Sequence, residues 1–435
     1  MLKQGVAAAS RFSVADSRRW KAPFFTIWSG QALSILGSQL VQFSLIWYLT
    51  VETGSATVLA TASLVGTLPQ VLLGPFVGTL VDRWDRRRTM ILADLSITAA
   101  TVLLAVLFAL DAASIWHIYV VMLIRSLSSS FHGNAMNASA SLMVPIEHLT
   151  RIQGLNQMLN GGLNVLAAPL GAVLLGLLSL QGILAIDVCT AVLAVVPLLW
   201  ISVPQPDRCQ QAGHGKNQVS ILWEDFRAGS RYLVSRRGLV IVGLMTVVIN
   251  FTIIPAFSLL PLLVKTTFDG GAVQLGWVES AMGIGTIAGG LLLGVWGGFR
   301  QKILTSMMGL VGMGVGALTI ALAPTSGLSM ALGGVLLVGL MNSMTMGPFF
   351  AVIQSAVEPD MQARVLTLLS SVGGGMAPVG LMVAAPVAAH LGIQVWFLTA
   401  GTLCVLMGVS GCFVPALKRI EQGDRGTGSG AGAVT

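Results

Sequence analysis

A chain of 435 residues that is 54% hydrophobic and only 9% charged cannot cover an ordinary water-facing surface, because soluble proteins carry about 25% charged residues. The formal net charge of +7 does not restore a nucleic-acid-binding reading, which needs a clustered basic surface that this composition lacks. An integral membrane protein is left, and at roughly 20 residues per span the length accommodates about twelve helices.

In chain order, residues 1–22 carry Lys3, Arg11, Arg18, Arg19 and Lys21 ahead of an apolar stretch too long for a signal-peptide core, so the first helix reads as an uncleaved anchor. Apolar runs between polar breaks predict spans near 23–50, 57–81, 89–110, 115–143, 152–178 and 182–203. A polar segment at 204–237 follows, then spans near 238–264, 273–297, 303–323, 328–356, 365–389 and 393–415. With the N-tail inside, 22 of the 24 Lys and Arg fall in cytoplasmic segments, leaving Lys265 outside and Arg125 within a span. That asymmetry orients the protein by the positive-inside rule, with both termini cytoplasmic. The expected architecture is an all-α membrane protein of two pseudo-symmetric six-helix halves, 23–203 and 238–415, joined by the cytoplasmic loop 204–237. A Gly-rich tail at 416–435 is expected to be disordered. Within the central loop, residues 223–233 suit an amphipathic surface helix, with Arg227, Arg231, Arg236 and Arg237 toward lipid headgroups; a solvated linker is the alternative.

An internal repeat supports the two halves. Gly74-xxx-Gly78 followed by Arg83 and Arg86 matches Gly290-xxx-Gly294 followed by Arg300 and Lys302, and Glu52-Thr-Gly54 matches Asp269-Gly270 at the same offset of 216. Ala168-Pro169-Leu170-Gly171 matches Ala377-Pro378-Val379-Gly380 at 209. Parallel repeats with a site between them near the midplane are a mark of alternating-access transporters.

The segment after the second span reads Gly78-Thr-Leu-Val-Asp82-Arg83-Trp84-Asp85-Arg86-Arg87-Arg88. It resembles the signature loop of the major facilitator superfamily, Gly-xxx-Asp-Arg/Lys-x-Gly-Arg/Lys-Arg/Lys, with Gly78, Asp82, Arg83, Arg86 and Arg87 keeping the pattern. Asp85 stands where the pattern has a second glycine, which predicts a looser turn. The resemblance implies a gating loop that latches the cytoplasmic side closed; the second-half copy at Gly294 lacks the acid, so the latch would be one-sided. Over a longer stretch the chain is similar to the macrolide-efflux-like branch of that superfamily. The resemblance is carried by Ser29-Gly-Gln31, Gly37-Ser38, Ile46-Trp47-Tyr48-Leu49-Thr50, Leu68-Pro69-Gln70, Ala93-Asp94-Leu95, Phe131-His132 and Ala185-Ile186-Asp187. It implies the major facilitator fold and a drug:proton antiporter. In the fifth span the antiporter pattern is partly kept as Gly161-Gly162 and Ala168-Pro169-Leu170-Gly171.

Arg125 lies about ten residues into the fourth span, where a charge costs several kcal/mol unless paired or hydrated. Ser128, Ser129 and His132 follow on the same helical face. The acids able to answer it are Asp187, Glu279 and Asp94. A carboxyl leaving water favours its proton and a nearby guanidinium favours its release, so alternating exposure can couple proton movement to transport. A structural ion pair is the alternative for Arg125, interhelical hydrogen bonding the alternative for Asp187 and Glu279, and pairing with the basic loop the preferred reading of Asp94.

A polar stripe of Gln31, Ser34, Ser38 and Gln42 on the first span, with Ser129, His132, Asn250 and Asn342, is the candidate substrate cavity, against plain interhelical hydrogen bonding. The four cysteines have no metal-like spacing, and HExxH, GxSxG with a plausible triad and the Walker motif are absent, so no metal, no cofactor, no enzyme activity and no intrinsic ATPase are expected. The expected function is a secondary efflux transporter, a monomer in the plasma membrane, exchanging a bulky amphipathic, macrolide-like small molecule for protons. Export of an endogenous siderophore or secondary metabolite is the alternative, and a non-transporting receptor or scaffold comes after it.

Overall fold

A computed structural model describes residues 20–201, 203 and 218–415. Among these residues there is no strand, and fourteen helices follow one another. The first six are α1 (Lys21–Thr53), α2 (Ala56–Arg83), α3 (Arg86–Ala109), α4 (Ile115–Met143), α5 (Ile146–Leu177) and α6 (Leu180–Trp200). Then come α7 (Gln218–Ser235), α8 (Arg237–Ser258), α9 (Leu260–Thr267), α10 (Ala272–Trp296), α11 (Lys302–Ala321), α12 (Leu328–Ala356), α13 (Pro359–Leu391) and α14 (Ile393–Phe413). Eleven of them are long and apolar enough to cross a membrane. The twelfth span is α4, whose 29 residues suffice in length but whose Arg125, serines and asparagines dilute its apolar character. Of the expected tails and linker, residues 1–19, 204–217 and 416–435 lie outside the described residues.

The helices outrun the expected spans at their polar ends because charged first turns are helical. Only Trp84 and Asp85 separate α2 from α3. Asp85, expected to loosen that turn, instead caps α3: its carboxylate accepts from the Arg88 backbone N–H at 2.9 Å. A carboxylate at this point meets an orphan donor and the positive end of the helix dipole, which glycine cannot do. Asp85→Ala is therefore expected to cost about 1 kcal/mol, read as a lower unfolding temperature of the purified protein, with Asp85→Asn recovering most of it.

Expected span seven divides at Leu259, between α8 and α9. Pro261 lacks the N–H that would bond one turn back, and its ring crowds that carbonyl, so a new helix begins with Pro in its first turn.

By backbone proximity the chain forms two compact units, one of Met1–Leu45 with Val65–Ala212, the other of Ile46–Leu64 with Gly213–Thr435. In the first, α3 packs on α4 and α6. One buried cluster there joins Ile27, Val77, Val81, Met90, Ala135 and Leu198. In the second, α12 packs on α10 and α11, α11 on α14, and α13 on α8. The segment expected to be an amphipathic surface helix is helical as α7, and it packs on α13 and α8. Arg227 and Arg231 are exposed. Arg236, expected to face lipid headgroups, keeps a side chain that is 41% exposed. It pairs with Glu358 at 3.1 Å, donates to the Ala356 carbonyl and lies over the Tyr232 ring. The side chain of Arg237 lies outside the described residues.

Candidate functional site: a two-tier polar column

Three helices of the first unit carry polar residues seven positions apart, a step of about two helical turns. On α1 they are Gln31 and Ser38, on α3 Asp94 and Thr101, and on α4 His132 and Arg125. Because α4 runs opposite in sequence order along this column, each helix contributes one residue to each of two tiers, roughly 10 Å apart.

The tier holding Arg125 is completed by Asp187 from α6. Arg125 Nη1 lies 2.6 Å from Asp187 Oδ2 and donates at 2.5 Å to Thr101 Oγ1. The Thr101 hydroxyl is 3.1 Å from the same carboxylate oxygen, and Ser38 Oγ donates to Asp187 Oδ1 at 3.2 Å. Arg125 Nη2 reaches the Ser38 carbonyl at 3.4 Å. The two charged side chains are 8% and 1% exposed, so the pair is sealed among hydroxyls and each carboxylate oxygen has a donor. α1 comes this close to α6 because residue 37 is glycine. A Cβ there would overlap the Thr190 hydroxyl and stand 3.2 Å from Asp187 Cα.

The second tier sets a histidine where the first has an arginine. Asp94 Oδ1 lies 3.5 Å from His132 Nε2, and Gln31 Nε2 donates to Asp94 Oδ2 at 3.2 Å. Asp94 was expected to answer the basic loop. Its partners among the described residues are His132 and Gln31, because it points into the unit from about two turns up α3.

The basic residues of the signature segment do other work. Arg86 Nη1 donates to the Ala138 carbonyl of α4 at 3.1 Å. Arg87 donates through Nε to the Leu198 carbonyl and through Nη2, at 2.5 Å, to that of Leu199. Leu198 and Leu199 belong to the last turn of α6, whose carbonyls have no intrahelical donors and carry the negative end of the helix dipole. Gly78, Asp82 and Arg83 lie on the last turns of α2, but the side chains of Asp82 and Arg83 lie outside the described residues.

The remaining candidates are scattered. Ser34 is buried, Gln42 half-buried and Ser129 exposed. In the second unit Asn250 donates to the Thr246 carbonyl of its own helix, while Asn342 and Glu279 are half-buried. Two groups escaped the reading of the sequence. Thr101 sits one heptad beyond Asp94, a spacing that would have found it. The amides Gln153, Asn156, Gln157 and Asn160 of α5 recur at helical spacing and, with Trp28, Gln31 and His132, line a cavity of about 320 Å³. Trp28 Nε1 donates to Asn156 Oδ1 at 2.7 Å across that cavity wall.

Comparison with known proteins places these features in a family. The model of the Major Facilitator Superfamily matches residues 27–380. Macrolide efflux protein A of Streptococcus pyogenes is 33% identical over 403 residues, which cover 92% of this chain and 98% of that protein. Macrolide efflux protein A of Enterococcus faecalis is 32% identical over 329 residues, 75% of this chain and 100% of that protein. The fold is shared with a bacterial homologue of the iron transporter ferroportin, solved in an inward-facing state, at a TM-score of 0.68 and 16% identity over 90% of this chain and 98% of that one. This multi-pass membrane protein therefore belongs to the Major Facilitator Superfamily and is a transporter, not an enzyme.

Proposed function

We propose that the protein is a proton-coupled exporter of bulky amphipathic small molecules of the macrolide kind. Its halves, 23–203 and 238–415, would carry the cargo by alternating access, in a plasma membrane with both termini cytoplasmic, and the working unit would be a monomer. The observation that carries cargo and direction is the 33% identity to Macrolide efflux protein A along nearly the whole of both chains. The buried Arg125–Asp187 pair supports proton coupling, since an ion pair sealed from water repays its desolvation only with good geometry and its carboxylate can be released whenever the guanidinium is drawn away. In this reading Arg125 and Asp187 couple transport to proton movement, Asp94 with His132 serves as a second proton-exchanging pair, and Glu279 acts in the other half. Gly78, Asp82, Arg83, Arg86 and Arg87 gate the cytoplasmic side, the two last by holding helix ends together. Gln31, Ser34, Ser38, Gln42, Ser129, His132, Asn250 and Asn342 face the cargo's path.

Expression in intact cells is expected to lower the accumulation of a radiolabelled macrolide, and a protonophore is expected to return it to the level of cells lacking the protein. Accumulation that rises on expression would reverse the direction, and insensitivity to the protonophore would remove the proton. In proteoliposomes with an imposed proton gradient, Glu279→Gln and Asp94→Asn are each expected to slow coupled flux. Full coupling in either variant removes that carboxylate from the mechanism.

A further inference from the structure

The α5 amide stripe is absorbed neither by the ion pairs nor by the gating segment. It lines, with α1 and α4, the cavity of about 320 Å³, which is near the lower bound of small-molecule sites. That volume suits one ring and its substituents, not an entire bulky cargo. Among the described residues its lining holds no Lys, Arg, Asp or Glu, and His132 is its one titratable side chain. Neutral amides dominate instead, beside the Trp28 ring and the apolar Ile35 and Met136.

The hydrogen-bonding inventory is specific. Asn156 spends its carbonyl on the Trp28 indole, which fixes the ring and leaves the Asn156 NH2 as a donor. Gln31 spends its NH2 on Asp94, so its carbonyl oxygen remains as an acceptor, and that buried oxygen has no hydrogen-bond partner. Gln31 is 2% exposed, so an unmet acceptor there carries a real cost. Its neighbour His132 Nε2 also lacks a hydrogen bond, being only in ion-pair range of Asp94. Donor and acceptor amides beside a flat aromatic ring are the complement of a saturated ring bearing hydroxyls: each hydroxyl both donates and accepts, and the C–H face of the ring packs on the indole.

We propose that this niche binds a glycosyl group carried by the exported molecule, with Trp28 as its platform and Gln31, Asn156, Gln157 and Asn160 as its hydroxyl partners. The inference rests on the export reading for its cargo, but not for its chemistry. The buried Gln31 oxygen discriminates against a ligand that brings it no hydroxyl, since it then stays unmet.

The test is equilibrium binding to the full-length protein in lipid nanodiscs, with three radiolabelled probes: a glycosylated macrolide, its aglycone, and a simple aryl glucoside. Gln157→Leu and Asn160→Leu leave the Trp28–Asn156 and Gln31–Asp94 bonds in place. Each is expected to weaken the glycosylated probes about tenfold, the loss of one to two hydrogen bonds, and to leave aglycone binding unchanged; unfolding temperatures report whether the variants fold. Equal losses for glycoside and aglycone, or no loss for either, overturn the proposal. If the wild type binds the aryl glucoside through these residues but neither macrolide, the niche stands and the macrolide reading falls. If it binds both macrolides alike and no glucoside, the niche falls and that reading stands.

Discussion

Asp187→Asn is expected to abolish proton-driven export and to destabilise the protein more than any other single polar substitution in the first unit. Arg125 would then keep its charge with no carboxylate, in a site where both side chains are nearly sealed from water. Breaking a buried pair from one side costs about 3–5 kcal/mol, because the surviving charge is left uncompensated, and a membrane interior supplies little water to relieve it. Thr101 and Ser38 offer hydroxyl dipoles but no countercharge. The informative variant is the double replacement Arg125→Leu with Asp187→Asn. It removes both charges, so its unfolding temperature is expected to recover most of what either single change loses, the signature of direct coupling in a double-mutant cycle. Export is expected to stay lost in the double variant. If stability and export recover together, the pair is a strut between α4 and α6 and the coupling role is wrong; if Asp187→Asn alone exports at the wild-type rate, Asp187 plays no part in proton exchange.

What the sequence discloses about this site depends on the rarity of charge in an apolar helix. Arg125 and Asp187 are legible one by one, since each is nearly alone in its span, and the structure joins them. Thr101 is not legible in that way: one threonine among the apolar residues of α3 carries no excess cost, and only its position one heptad from Asp94 distinguishes it. The amides of α5 are hidden for a related reason, since a stripe of neutral side chains shifts neither the charge count nor the topology. Asp94 is misleading because nearness in sequence to Arg86–Arg88 suggests a partner, whereas the helix carries its side chain away from them toward His132 and Gln31. Span positions are legible because hydropathy measures the membrane, but helix ends are not, since polar first turns such as Arg86–Arg88 continue the helix beyond the apolar layer.

The second large effect is expected from a methyl group. α10 contains two consecutive GxxxG patterns, Gly285-xxx-Gly289 and Gly290-xxx-Gly294. The internal repeat draws attention to the second, yet nothing lies within 4 Å of a Cβ built on Gly290 or Gly294. The register one residue earlier is the packed one. A Cβ on Gly289 would collide with the Leu340 carbonyl oxygen of α12 and lie 2.8 Å from its carbon; one on Gly285 would collide with the Leu336 carbonyl oxygen and lie 2.9 Å from the Leu340 nitrogen. These neighbours are backbone, which cannot rotate aside, so α10 and α12 must separate and forfeit the close packing that holds membrane helices together where no hydrophobic drive exists between them. The reverse contact meets the same limit, since a Cβ on Gly339 of α12 would collide with the Met282 carbonyl of α10. Gly289→Ala is therefore expected to lower the unfolding temperature of the detergent-purified protein markedly, by the equivalent of about 1–3 kcal/mol for overpacking, and Gly285→Ala with Gly289→Ala to prevent recovery of folded protein. Gly290→Ala is the matched control on the same helix. It changes the same atoms and gains the same helix propensity of up to about 1 kcal/mol, so it is expected to be neutral or stabilising. Equal behaviour of Gly289→Ala and Gly290→Ala would mean that α10 and α12 do not meet along this seam.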